Sequence, residues 1–318
     1  MEEFDISKYE IAPYLELDDY KAPEGIKSYF ITMKDDIKIR VCHWLNNKNT
    51  NGTIILQQGH NEFIEKYFET IQEFIDREYS VICFDWRGQG MSDRLLQDTN
   101  KSYIEDFQQH DKDLEYILEN IIEKYFPKPL IGIGHSMGGC LMLSAFHNFP
   151  EKFDFGILSA PMFGFKNEKF LRIASSAMNI FKKNTDFLIG SKPNMGKETP
   201  FEKNDLTTDK YRYKRTQQLV RKKPSVRLWG VTNSFAKAVN NRFKIIRKKN
   251  WAEKITLPIL IINSLNDKVV DPEKIKEMSK RLKKSKIINF QNCEHEIFME
   301  NDNHRIKLWK SIDEFINL

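Results

Sequence analysis

The sequence has few cysteines and no long apolar run. Its four cysteines lie far apart and form no CxxC pair, which argues against a zinc site or a disulfide scaffold and fits a reducing compartment; they are Cys42, Cys83, Cys140 and Cys293. No stretch approaches the ~20 apolar residues that a membrane-spanning helix needs. The first ten residues carry four acids and no apolar segment, so we expect no secretory signal and predict a cytoplasmic protein.

The overall charge conceals an uneven distribution along the chain. The 318 residues carry a net charge of +5, with 40% apolar and 30% charged residues, which is ordinary for a soluble globular protein. Residues 161–250, however, contain 22 Lys and Arg against 6 Asp and Glu, a local charge of +16, so the rest of the chain carries −11. We therefore predict an acidic core formed by residues 1–160 and 251–318, and a basic cap inserted between them.

Outside the basic segment, short apolar runs alternate with longer amphipathic stretches. The pattern predicts strands at 38–45, 53–57, 80–85, 130–134, 155–159, 259–263 and 286–290, and helices at 64–77, 103–125 and from 137, 272 and 304. This alternation predicts an α/β fold with a mostly parallel central sheet flanked by helices. The basic segment has no strong strand signal, so we interpret it as a helical insertion over the carboxyl ends of the strands, where such sheets bind ligands.

The strongest local motif is GHSMGG at residues 134–139, which fits G-x-S-x-G between an apolar strand and a helix-forming stretch. So sharp a strand-to-helix turn strains its central residue, and the flanking glycines leave room for the crowding. The turn would lift Ser136 Oγ above the sheet and direct the Met137 backbone N–H towards a developing oxyanion. An ordinary glycine-rich turn is the alternative, but the surrounding strand and helix favour a nucleophile.

A serine nucleophile needs a base, and the chain order expected for this motif is Ser, acid, His. Of the seven histidines, five precede Ser136 or lie on the helix after it, which leaves His295 and His304. His295 follows the strand at 286–290, in a loop from which it can reach the serine, so we predict that it is the general base. His304 is interpreted as a surface residue at the start of the last helix.

The acid is expected after an earlier strand. Asp267 follows the strand at 259–263 and is predicted to accept a hydrogen bond from His295 Nδ1–H, fixing the tautomer and stabilising the imidazolium. Asp271 precedes Pro272 and suits a helix start. Asp154 precedes its strand and so lies at the wrong end of the sheet.

With these residues in view, the chain resembles the α/β-hydrolases of the monoacylglycerol lipase and bacterial lysophospholipase L2 group, also described as serine aminopeptidase S33-like. The matching blocks lie within about 29–161 and from 259 to the end: QGHNE at 58–62 with Lys66-Tyr67, DWRGQGMS at 85–92, GHSMGG at 134–139, NDKVV at 266–270 and CEHE at 293–296. The resemblance implies a catalytic triad of Ser136, Asp267 and His295. It also implies an oxyanion hole formed by the backbone N–H groups of His60 and Met137.

One departure favours a branch of this group. Lipase members usually have His-Gly where this chain has Gln58-Gly59, and members of the lysophospholipase branch also lack the His-Gly pair at this position.

The implied activity is hydrolysis of a lysophospholipid to a fatty acid and a glycerophospho headgroup, without metal or cofactor. Alternatives are a monoacylglycerol lipase or general carboxylesterase, a serine aminopeptidase of the same group, and a non-catalytic hydrolase-fold binding protein. The complete Ser, Asp and His set argues against the last.

The basic segment has two interpretations. One is a solvated face over an ordinary apolar core. The other is a surface that docks on anionic membrane at the inner face and places Lys or Arg near a phosphate headgroup, with Arg221, Lys222 and Lys223 as the candidate contacts. No zinc finger, RNA-recognition signature or heptad zipper accompanies the charge, so we expect no nucleic acid partner.

Overall fold

The computed structural model describes residues 3–46, 50–166, 168, 183–188 and 198–317. In chain order, the strands of the described residues are β1 (Glu10–Ile11), β2 (Lys27–Thr32), β3 (Lys38–Trp44), β4 (Thr53–Gln57), β5 (Ser80–Phe84), β6 (Lys101–Ser102), β7 (Leu130–His135), β8 (Phe155–Ser159), β9 (Gly230–Val231), β10 (Ile259–Ser264) and β11 (Ser285–Phe290). The helices are α1 (Phe68–Ile75), α2 (Gln108–Ile117), α3 (Glu123–Tyr125), α4 (Met137–Asn148), α5 (Lys210–Lys222), α6 (Asn233–Ile246), α7 (Pro272–Ser279) and α8 (Asp302–Ile316).

Nine strands form one sheet in the order β1-β2-β3-β5-β4-β7-β8-β10-β11. The pairs from β5 to β11 are parallel, whereas β1, β2 and β3 join at one edge through antiparallel pairs. Every residue of β4 and β10 is buried, which explains their continuously apolar character: helices cover both faces of the sheet. The mostly parallel sheet predicted from the alternating pattern is confirmed.

The helix starts follow local side-chain chemistry. Asp271 accepts a hydrogen bond from the Glu273 N–H and caps α7, with Pro272 at its first position. Asn301 caps α8 by accepting from the His304 N–H, so that helix begins two residues before the predicted start. Asp271 therefore has the structural role predicted for it.

Three parts of the predicted pattern differ in the structure. Strand β2 was not predicted, because its sequence, KSYFIT, mixes polar and apolar residues at the antiparallel edge of the sheet. The helix predicted over 103–125 begins only at Gln108 and continues through a π-helical stretch, Leu118–Ile122, before α3. The helix predicted over 64–77 opens with a 3₁₀ turn, Ile64–Tyr67, before α1.

The basic segment, 161–250, includes α5 and α6; its residues 167, 169–182 and 189–197 lie outside the described part of the chain. The short strand β9 pairs with β6 of the core. Ion pairs also join the segment to the core: Arg212 and Arg215 of α5 contact Glu69 of α1, each at 2.5 Å, and Arg242 of α6 contacts Asp111 of α2 at 2.6 Å. The segment is thus held to the core by ion pairs and also by apolar packing, because Phe235, Phe243 and Ile246 of α6 belong to the same buried cluster as core residues.

All four cysteines are buried and unpaired. Burial raises the pKa of the Cys42 and Cys140 thiols to about 12 and that of Cys293 to about 11, and it raises the pKa of Cys83 well above its ordinary value. Within the part of the chain that the structure describes, no helix combines the length and the apolar character needed to cross a membrane.

Candidate active site

Ser136 occupies a strained turn between β7 and α4. Its φ of 52° and ψ of −116° place it in a region that L residues rarely adopt, as predicted for the centre of this turn. Its N–H donates to the Ser159 carbonyl at 3.0 Å, and its carbonyl accepts from the Met162 N–H at 2.8 Å. A Cβ on Gly138 would lie 2.5 Å from the backbone carbonyl oxygens of Gln57, the last residue of β4, and Gln58, so only glycine allows α4 to approach so closely.

The structure brings the three predicted residues Ser136, His295 and Asp267 together. His295 Nε2 lies 2.9 Å from Ser136 Oγ, and its Nδ1 lies 2.6 Å from Asp267 Oδ2. The other carboxylate oxygen of Asp267 accepts the N–H groups of Val269 and Val270, at 2.7 and 2.9 Å. All three side chains are buried. This arrangement can move a proton from the serine hydroxyl to the imidazole and hold the resulting imidazolium beside a carboxylate.

The turn after β4 lies against the serine. The Gly59 N–H donates to Glu62 Oε2 at 2.5 Å, and a Cβ on Gly59 would come within 3.0 Å of Ser136 Cβ. His60 follows Gly59 directly, and its ring lies 2.7 Å from Ser102 Oγ through Nε2. Met137 is the first residue of α4, where the N–H has no partner within the helix. The assignment of the His60 and Met137 N–H groups as oxyanion donors stays a prediction.

Buried Lys66 joins this turn to the histidine loop. Its ammonium lies 2.5 Å from both Glu62 and Glu296. Burial alone would raise the pKa of Glu62, but Lys66 outweighs it and lowers that pKa to about 2. Burial raises the pKa of Glu296, which Lys66 offsets only in part. Because Glu296 follows His295 directly, this ion-paired group connects the proposed oxyanion turn to the predicted base.

Two further histidines near the serine are uncharged at neutral pH. Burial lowers the pKa of His135 to about 3 and that of His60 to about 4. His135 packs on His295 with ring centroids 4.7 Å apart, and its Nδ1 lies 3.2 Å from the Ser159 carbonyl oxygen. These rings shape the site and add no positive charge to it.

A chamber of about 360 Å³ opens above Ser136, between the core and the cap segment. Its walls are largely apolar; they include Met162, Phe165, Leu188, Leu206, Val220, Val231, Phe235, Val239 and Val269. Of the described residues, those that line it with a charged side chain are Glu62, Lys66, Arg227 and Glu296. This volume and lining are typical of a site for a small, mostly apolar ligand. Among the described residues, no cluster of three or more His, Cys, Asp or Glu side chains is placed to hold a metal ion.

The remaining candidates lie elsewhere. His304 Nε2 is 2.9 Å from the Asn292 carbonyl oxygen, and Asp154 accepts from the Leu130 N–H at the start of β7, at the opposite end of that strand from the serine. Arg221 and Lys222 end α5, Lys223 follows as its C-cap, and none of the three lines the chamber. Arg221 pairs with Glu198, and Lys222 donates to the Glu16 carbonyl at 2.6 Å.

The block at 85–92 supports the site from beneath. Buried Asp85 accepts from Gln58 Nε2 at 3.0 Å and from the Ile64 N–H at 3.1 Å, and its other oxygen pairs with Arg40. A Cβ on Gly90, whose φ is 54°, would overlap the Asp85 carboxylate at 2.1 Å. Asp85 thus fixes both ends of the turn that carries His60, and no residue of this block lines the chamber.

Sequence reasoning missed Glu296 and Arg227 and assigned no role to Lys66. Lys66 and Glu296 lie in blocks that the resemblance marked, but only the folded chain brings them into contact. Arg227 is one of 22 basic residues in its segment, and charge counting does not distinguish it from the others.

Comparisons with known proteins agree with this architecture. The model of a family described as serine aminopeptidase, S33 matches residues 48–302. A probable lysophospholipase L2 of Haemophilus influenzae is 26% identical over 298 residues, which cover 93% of each chain. A soluble variant of monoglyceride lipase from Saccharomyces cerevisiae superposes with a TM-score of 0.73 at 19% identity, covering 95% of this chain and 99% of that one. A carboxyl esterase from Bacillus coagulans superposes with a TM-score of 0.75 at 18% identity, covering 93% and 99%.

Proposed function

The chain belongs to the serine aminopeptidase S33 family and has the α/β-hydrolase fold, and on that premise we propose that it is a serine ester hydrolase acting on lysophospholipids. The observation that carries the proposal is the His295 Nε2 to Ser136 Oγ contact of 2.9 Å at the floor of an apolar chamber. We assign residues 1–160 and 251–318 to the catalytic core and 161–250 to a cap over it.

In this mechanism His295 takes the Ser136 proton as the hydroxyl attacks the ester carbonyl. The N–H groups of Met137 and His60 stabilise the oxyanion, and Asp267 stabilises the imidazolium. His295 then protonates the leaving glycerophospho alcohol, which departs and leaves the acyl chain on Ser136. Water, deprotonated by His295, attacks the acyl-enzyme and releases the fatty acid, returning the proton to Ser136.

The choice of a lysophospholipid rests on the chamber and on a relative. The apolar walls suit an acyl chain. The Haemophilus influenzae relative, which aligns along nearly the whole chain, is named as a probable lysophospholipase L2. The Gln58-Gly59 departure from the lipase pattern favours the same branch. Peripheral contact of the basic cap with anionic membrane is part of this proposal, because such a substrate resides in a lipid surface.

An aminopeptidase activity is less compatible with the charges that line the chamber. A peptide amino terminus is a cation and needs an unneutralised carboxylate near the scissile bond. The carboxylates among the described lining residues are Glu62 and Glu296, and both are bound to Lys66.

A labelling experiment and a hydrolysis panel test the proposal. We expect a fluorophosphonate probe to label the wild-type protein and not Ser136→Ala. The panel compares lysophospholipids, monoacylglycerols, short p-nitrophenyl esters and aminoacyl amides, with Ser136→Ala as the blank. Lysophospholipids should give the highest kcat/KM. Absence of labelling would refute serine hydrolysis and favour a non-catalytic binding protein, whereas preference for amides would favour the peptidase.

A further inference from the structure

Two of the described residues that line the chamber carry a stable positive charge, and their surroundings differ. Lys66 is buried and engaged by two carboxylates. Arg227 is half-buried, and its Nη1 donates to Gln217 Oε1, a neutral partner, at 3.2 Å. An arginine held in a cavity by a neutral group retains charge and donors for an incoming anion.

Within the described part of the chain, Arg227 differs from its neighbours in having no carboxylate within ion-pair distance. The ion-paired arginines in the described part of the cap segment are Arg212, Arg215, Arg221, Arg242 and Arg247. Among the described residues, no Asp or Glu oxygen lies within 4.0 Å of the Arg227 guanidinium; nearby Glu198 pairs with Arg221 at 2.5 Å. The cap residues outside the described part, 167, 169–182 and 189–197, contain no Asp or Glu in their sequence.

The backbone next to Arg227 is fixed to the turn that carries the proposed oxyanion donor. The Asn61 side chain accepts from the Leu228 N–H at 2.6 Å and donates to the Leu228 carbonyl at 2.9 Å. The Trp229 N–H donates to the Asn100 carbonyl at 2.8 Å, and the Arg227 guanidinium lies 5.3 Å from the Trp229 ring. Because Asn61 follows His60, these contacts join the backbone next to Arg227 to the turn that carries His60, and Arg227, His60 and Ser136 all line the same chamber.

We propose that Arg227, oriented by Gln217, binds the phosphate of the substrate headgroup and so selects phosphate-bearing esters over neutral ones. This inference rests on the proposed lysophospholipase function. In a lysophospholipid only the glycerol separates the phosphate from the scissile ester, and Arg227 and Ser136 line the same chamber, so one substrate can contact both. The planar guanidinium can donate two parallel hydrogen bonds to phosphate oxygens.

The test compares two esters of the same short acyl chain, lysophosphatidylglycerol and monoacylglycerol, both kept below their micelle concentrations. Arg227→Gln should lower kcat/KM for lysophosphatidylglycerol by about tenfold or more, because a hydrogen bond to a charged group is lost. The loss of kcat/KM for monoacylglycerol, which has no phosphate, should be much smaller. Arg227→Lys should retain part of the preference. Lys237→Gln is the matched control: it removes a positive charge from an exposed position of α6, outside the chamber, and should change neither value.

A second readout does not depend on lysophospholipid hydrolysis. Inorganic phosphate and glycerol 3-phosphate should inhibit wild-type hydrolysis of a short p-nitrophenyl ester competitively, and more weakly in Arg227→Gln. Stronger inhibition by glycerol 3-phosphate than by phosphate would identify a headgroup site, and equal inhibition would overturn the headgroup assignment. Equal loss of both lipid activities in Arg227→Gln, or no loss of either, would overturn the role of Arg227. The wild-type protein could instead hydrolyse the p-nitrophenyl ester, show phosphate inhibition that depends on Arg227, and fail to hydrolyse lysophospholipids. That result would refute the proposed function but would support the anion site.

Discussion

Asp267 divides its two carboxylate oxygens between the backbone and the proposed base. One oxygen accepts two N–H groups of its own loop, and the other lies 2.6 Å from His295 Nδ1. Asp271, four residues later, accepts from the Glu273 N–H at 3.0 Å and caps α7. Two acids of one loop thus serve separate purposes, one proposed to be chemical and one structural.

Substituting these two acids separates catalysis from stability. Asp267→Asn keeps the backbone contacts but presents an amide to His295, so the imidazole adopts the wrong tautomer and kcat should fall by ~10³–10⁴-fold. Asp271→Ala removes a helix cap and should lower the free energy of unfolding by ~1 kcal/mol without changing kcat. Ester hydrolysis and urea unfolding measure the two effects. Near wild-type turnover in Asp267→Asn would contradict its assignment.

Contacts between residues that lie far apart in the sequence could not be predicted from the sequence alone. Ser136, Asp267 and His295 could be predicted because each lies in a loop after a recognisable strand and their order is characteristic. The contact of Lys66 with Glu296 and that of Asn61 with Leu228 depend on how the histidine loop and the cap segment dock. Docking of segments so distant in sequence leaves no local pattern to detect.

At the scale of the elements, α5 contacts α1 through Glu69, which accepts from both Arg212 and Arg215. Burial raises the pKa of Glu69, but the neighbouring arginines outweigh it and lower the pKa from its ordinary 4.5 to about 2. The unfolded chain therefore takes up this proton first as the pH falls. The stabilisation is complete above pH 4.5 and is lost between 4.5 and about 2.

Glu69→Gln should consequently flatten the acid limb of the stability curve. At neutral pH we expect it to reduce the free energy of unfolding by roughly 1–2 kcal/mol, since it weakens two partly exposed ion pairs. The difference from wild type should shrink as the pH approaches 2, measured by denaturant unfolding across the range. Glu202→Gln, at an exposed cap residue 3.9 Å from Lys210, is the matched control. A difference independent of pH would show that the loss is not electrostatic.

Whether an element could be predicted from the sequence depends on what stabilises it. Strands β4 and β10 could be predicted because burial on both faces demands continuous apolar sequence. Strands β6 and β9 have two residues each, too few for any periodic pattern, and form because the cap segment meets the core there. The π-helical stretch within the predicted helix at 103–125 likewise has no signature in the apolar spacing.

For the whole molecule, the charge separation of +16 against −11 predicts how the protein meets a lipid surface. Arg221→Glu, Lys222→Glu and Lys223→Glu together should weaken binding to anionic vesicles, at ~1 kcal/mol for each basic residue near the surface. Hydrolysis of a short soluble ester should stay nearly intact, because these residues lie outside the chamber.

The matched control reverses three lysines of the core, Lys283, Lys284 and Lys286, which are exposed and distant in sequence from the cap. Co-sedimentation with vesicles measures both variants. If the cap variant sediments as well as wild type, or if the two variants lose binding equally, the cap is a solvated surface and not a docking face.

The burial of every thiol has a consequence for covalent chemistry. The four cysteines have raised pKa values and none lines the chamber, so in the folded protein they are poor competitors for an electrophile. A reactive inhibitor that enters the chamber meets an activatable serine hydroxyl and no thiolate. The fold thereby makes the protein selective towards electrophiles: the proposed nucleophile, Ser136, can be modified without modification of the cysteines.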